Sequence, residues 1–181
     1  ADIISGRCHV LYCSSGKSKR VSVSTSHAET VAACSGKTEA QVINLRLTEM
    51  YAPRQLTLRQ LQKKSDEATL LFPVDHYTDC LDVYQLVTGK GTPPADKSQR
   101  LYIMMMREDR ITGRIRLMIK IPTACMAADG LTKCKNPDSW ELWRILSAGT
   151  IQIEGTVLLR RCPITQYVTE AELERNEFED K

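Results

Sequence analysis

An α/β fold is the class this sequence predicts, and three observations carry the prediction. Gly113 to Ile121 alternates strictly, with Ile115, Leu117, Ile119 and Ile121 on one face and Arg114, Arg116, Met118 and Lys120 on the other, the period of a strand. Residues 26 to 51 keep a helical period through Val31, Ala32, Val42, Leu45 and Leu47 and stop ahead of Pro53. Strand-like and helix-like runs then interleave along the chain, the order expected of helices packed on a sheet.

Taken in order, Arg7–Cys13 and Arg20–Ser24 read as two short strands joined by the turn-rich segment Ser14-Ser15-Gly16-Lys17. Ser24 to Ser26 offers N-caps for the long helix, and Ser26 with Glu29 has capping-box spacing. Gln55 to Ala68 is a short helix or a connection. Leu70, Leu71, Phe72 and Val74 predict a buried strand bent or begun at Pro73, running to Tyr77. A helix follows from Leu81 to Val87 with Gly89 as its stop. Leu101 to Glu108 reads as a buried helix in which Met104, Met105 and Met106 fill the core. Pro122-Thr123 opens a helical segment through Leu131, and Ser139–Leu146 is amphipathic with Trp140, Trp143 and Leu146 inward. Thr150 to Arg160 is extended. The division expected is a domain over 1–149, an extended segment over 150–167 and an acidic tail over 168–181.

Charge and composition narrow the function classes. From Val168 onward six acids face two bases, so residues 1–167 hold 23 bases and 16 acids, a net +7 that leans toward a polyanionic partner. The longest uncharged apolar run, Tyr102–Met106, is far short of the roughly 20 residues of a membrane-spanning helix, and no membrane partner is expected. The first fourteen residues lack the regions of a signal peptide, and the initial Ala1 predicts a processed chain or a fragment. Seven scattered cysteines without a C-x-x-C pair predict reduced thiols in an intracellular compartment, with no structural zinc.

Three carboxylates fall where an α/β fold collects chemistry: Glu29 near the start of the long helix, Asp79 at the end of a strand, and Asp129 near the last core helix. Each has an ordinary structural reading, as a capping-box glutamate, a helix N-cap and an i,i+4 partner of Lys133. Together they form the oxygen-only donor set that a hard cation such as Mg²⁺ takes.

Ser-Gly-Lys-Ser-Lys-Arg-Val at 15–21, Ser-Thr-Ser-His-Ala-Glu-Thr-Val-Ala-Ala at 24–33, Tyr-Thr-Asp-Cys at 77–80 and Pro-Thr-Ala-Cys-Met-Ala-Ala-Asp-Gly-Leu-Thr-Lys at 122–133 resemble, in order and spacing, the C-terminal ribonuclease H domain of Copia-type retrotransposon polyproteins. The last block is the most specific, and the resemblance covers about residues 6–135. It implies a ribonuclease H-like mixed five-stranded sheet with flanking helices, and hydrolysis of the RNA strand of an RNA–DNA hybrid with two Mg²⁺ ions, Mn²⁺ substituting. By motif match the metal-binding and catalytic carboxylates are Glu29, Asp79 and Asp129, with Asp82 a weaker contender for the second position. Lys17, Lys19, Arg20, Arg114 and Arg116 would face phosphates.

The resemblance also implies partners and a compartment: the hybrid, the reverse transcriptase remainder of a polyprotein, and cytoplasm or nucleus. Two departures stand out. The family's first aspartate lies on a strand tens of residues before the helix glutamate, whereas Glu29 is preceded by only 28 residues and Asp2 is too close. Lys97–Ile103 has no histidine where many relatives carry a Lys-His pair. The expectations are therefore a domain without the family's first strand, inactivated by loss of that ligand, or a non-catalytic binding or structural protein whose sheet is completed by another chain or by Thr150–Arg160.

Overall fold

In the computed structural model, residues 4–15, 22, 24–131, 140–155 and 157–161 are described. The chain is mixed α/β, as the alternation predicts. Its strands are β1 (Ile4–Arg7), β2 (Asp75–Thr78), β3 (Leu117–Lys120), β4 (Thr150–Ile153) and β5 (Leu158–Arg161). Its α-helices are α1 (Thr25–Tyr51), α2 (Leu58–Asp66), α3 (Leu81–Thr88), α4 (Lys97–Ile111) and α5 (Trp140–Ala148).

Helix boundaries follow local chemistry closely. Ser24, extended in its backbone, accepts the His27 N–H at 3.1 Å and starts α1, so the cap lies two residues before the Ser26–Glu29 pair. Thr57 and Gln60 close a reciprocal capping box on α2, which settles that segment as a helix. Gly89 ends α3 at φ 80°, a conformation that L side chains rarely adopt. The segment after Pro122 is two 3-10 turns, Thr123–Cys125 and Ala127–Leu131, instead of one α-helix. Its bonds, such as Asp129 N–H to Met126 O, span three residues.

The described strands form a mixed sheet of order β2-β3-β5 and a separate antiparallel pair, β1 with β4. β2 and β3 run parallel with Asp75 opposite Leu117 and Thr78 opposite Lys120, and β5 lies antiparallel on the other edge of β3. The crossover between β2 and β3 holds α3 and α4, as a parallel pair requires. Two sequence expectations change here. The N-terminal strand is Ile4–Arg7, paired with Thr150–Ile153, and Leu11 and Tyr12 lie exposed beyond it; the other half of the predicted hairpin, Arg20–Ser24, falls largely outside the described residues. The predicted strand through Leu70–Tyr77 contracts to Asp75–Thr78. Leu71 and Phe72 are exposed, because Asn44 and Thr48 of α1 take their backbone groups before Pro73 interrupts the run.

Two apolar clusters lie on opposite sides of β3, as its period demands. Met118 joins Val83, Tyr84, Val87, Ile103, Met106 and Cys34 on the helical side, while Ile119 and Ile121 join Ile153 beneath the β1–β4 pair. Ile115 was expected with the second group but packs with the first. It precedes the strand, and its N–H donates to Asp109 O. Of the methionine triplet only Met106 fills the core; Met104 and Met105 are 57% and 41% exposed. On α5, Trp140 and Trp143 are 72% and 59% exposed and Leu146 is exposed too, whereas Leu142, Ile145 and Glu141 are buried, the reverse of the expected face. Glu141 is compensated by Arg144, which reaches on to Gln152 O and ties the helix to β4.

The long helix α1 is the largest surprise. Its buried positions are His27, Thr30, Cys34, Lys37, Asn44 and Thr48, a seam with three- and four-residue spacing built mainly from polar groups, while Val42, Met50 and Tyr51 are exposed. Lys37 Nζ donates to Asp109 Oδ2 at 2.7 Å, both side chains being at most 7% exposed, and Arg114 Nη1 reaches Asp109 Oδ1 at 3.2 Å.

Asp109→Ala is expected to cost about 3–5 kcal/mol in urea unfolding, since it strands the Lys37 ammonium in the core. Lys37→Met should cost less, because Arg114 still compensates Asp109, and the double variant should be more stable than Asp109→Ala alone. Met106→Ala should cost roughly 2–5 kcal/mol by the same measurement and Met104→Ala under about 0.5 kcal/mol, the contrast reporting that one methionine alone is core.

Candidate functional site

The parallel pair sets where the candidate carboxylates can sit. β2 and β3 end on the same side of the sheet, the edge at which parallel α/β folds place ligands. Asp79 is the residue immediately after β2. Asp129 lies in the second 3-10 turn leaving β3, whose lead-in residues Cys125 and Met126 pack against Ile119, Ile121 and Ile153. Glu29 is half-buried in the second turn of α1.

Electrostatics tie Glu29 to the start of α3. Burial pushes the Cys80 thiol up, backbone N–H groups of Val83 and Asp82 at the start of α3 pull it down, and the carboxylates of Glu29 and Asp82 push it up again. The charges of Glu29 and Asp82 are thus both felt at the Cys80 thiol. Asp82 is exposed in the first turn of α3, where a carboxylate also complements the helix dipole. Asp79 is not the N-cap of α3: Cys80 occupies that position with no side-chain cap, and Thr78 Oγ1 accepts the Cys80 N–H. Lys133, the expected partner of Asp129, lies outside the described residues.

Among the described residues, which include Glu29, Asp79, Asp82 and Asp129, no group of three or more His, Cys, Asp or Glu side chains is arranged to hold a metal ion. The donor types suit Mg²⁺, but the described arrangement does not gather them into a site. What the fold brings together is Glu29 with the start of α3.

The basic candidates divide similarly. Lys17, Lys19 and Arg20 lie outside the described residues. Arg116 holds Asp75 bidentately, its Nε donating to Oδ1 at 2.8 Å and its Nη2 to Oδ2, across the β2–β3 ladder. Arg114 spans Asp109 and Ser65 O. Both guanidiniums are engaged in tying elements together, which leaves less of their charge for a phosphate.

Sequence reasoning passed over a polar junction between the starts of α1 and α4. Asp96 caps α4 by accepting Gln99 N–H at 2.7 Å and Ser98 Oγ–H at 2.6 Å, and Ser98 Oγ stands 3.4 Å from His27 Nε2. Gln99 Nε2 donates to Ser26 Oγ and Thr30 Oγ1. His27 is buried, and its Nδ1 has no hydrogen-bond partner. The signal available in the sequence was the Asp96-x-x-Gln99 cap ahead of an apolar run. The five described cysteines, Cys8, Cys13, Cys34, Cys80 and Cys125, are free thiols, and no described helix is long and apolar enough to cross a membrane. Comparison with family models, curated proteins and solved structures finds no match.

His76, on β2 ahead of the carboxylate edge, has its pKa pushed down to about 4 because burial withdraws the imidazolium from water. A pKa lower in the folded chain than in the unfolded one means full stability above about pH 6.5 and progressive loss as pH falls toward 4. Part of the residue still meets solvent, so the expected loss is about 3 kcal/mol at most. Urea midpoints at pH 7, 5.5 and 4 should fall less steeply for His76→Gln than for the parent chain; equal slopes would remove His76 as the cause.

Proposed function

We propose that this chain is a ribonuclease H-like domain of retrotransposon origin that engages RNA–DNA hybrid. The observation that carries the reading is the order of its elements: a helix bearing Glu29, a short second helix, a strand that Asp79 follows directly, two helices, a parallel strand, and then the Pro-Thr…Ala-Asp-Gly-Leu block with Asp129. That succession is compatible with the resemblance and sets two of its carboxylate blocks at the ends of neighbouring parallel strands. Glu29, Asp79 and Asp129 are, on this reading, the residue of a Mg²⁺-binding set.

Hybrid binding would be mainly a phosphate interaction, read through backbone shape and the 2′-OH, and would weaken steeply with salt. The net +7 of residues 1–167 supports it. The remainder of a reverse transcriptase polyprotein is the natural companion of such a domain, and cytoplasm or nucleus its setting.

A second reading, a binding or structural protein working by strand addition, is favoured by a specific feature of β2. Val74 O and Thr78 O accept from the β3 side, so Asp75 and Tyr77 direct their backbone groups away from β3, and no described strand pairs with that edge. The segment Thr150–Arg160 does enter the sheet system, but as β4 on β1 and as part of β5 on β3, leaving β2 at the rim.

An end-labelled RNA–DNA hybrid should be bound at low salt and released as salt rises. Cleavage in Mg²⁺ or Mn²⁺ that both Asp79→Asn and Asp129→Asn abolish would assign those carboxylates to turnover, and no binding at any salt would overturn the hybrid as partner. For the second reading, amide exchange at Asp75 and Tyr77 is expected to be fast in the chain alone and to slow at least tenfold when a partner strand is supplied; slow exchange without a partner would sink it.

A further inference from the structure

We draw no further inference here: the strongest candidate, the rim of the sheet at β2 beside the exposed Leu71 and Phe72, carries nothing beyond the strand-addition reading already given, because nothing in the structure shows what covers it.

Discussion

The Asp109 carboxylate is the group on which the helical layer depends. It receives Lys37 from α1 and Arg114 from the turn before β3, while the Asp109 backbone carbonyl accepts the Ile115 N–H. Helix α1 and the turn leading into β3 are thereby both fixed to the last turn of α4. A carboxylate and an ammonium withdrawn from water lose several kcal/mol of hydration each, so the Lys37 ammonium is tolerable only while Asp109 is there to receive it. Its contribution is to positional definition more than to net stability, and it fixes α1 in one axial register against α4.

The rest of the α1 seam obeys the same logic. A helix that buries Thr30, Lys37, Asn44 and Thr48 gains little from apolar transfer, and each of those polar groups has to find a partner. Thr30 finds Ser26 O and Gln99, Asn44 finds the backbone of Phe72, and Thr48 finds Leu71 N–H. The pairing explains why the chain ahead of β2 is not strand: its hydrogen bonds go to a helix. Val42, Met50 and Tyr51 of α1 face outward as a result.

Parallel pairing of β2 and β3 gives the carboxylate blocks a common edge, which any protein with this strand order would share. Metal chemistry needs more than a common edge: oxygen donors have to converge within bonding distance of one ion, and the described residues do not gather in that way. Meanwhile Arg116 and Arg114 serve the scaffold through Asp75 and Asp109, the kind of structural use that charge counting cannot separate from phosphate binding.

Local signals were legible in the sequence wherever short-range chemistry decides. The span of α3 and its stop at Gly89, the length of α1 set by Pro53, and the alternation of β3 from Leu117 to Ile121 all follow from residues within one or two turns of the feature, whereas the Thr57–Gln60 capping box that makes Leu58–Asp66 a helix was not read and the cap of α3 is Cys80 instead of Asp79. The α/β class followed from their order. Which face each element buries was decided by tertiary structure. Met104 and Met106 have the same side chain but different directions from α4, and Trp143 lies outside while Glu141 lies inside because Arg144 and Gln152 are there to receive that corner of α5. The pairing of Ile4–Arg7 with Thr150–Ile153, across some 145 residues, left no local mark either, since a strand's partner is chosen by what the completed core brings alongside it. The sequence by itself placed Glu29, Asp79 and Asp129 on three elements; whether three carboxylates share one ion is a matter of a few ångströms between them, and only the packing of α1, α3 and the turns after β3 sets those distances.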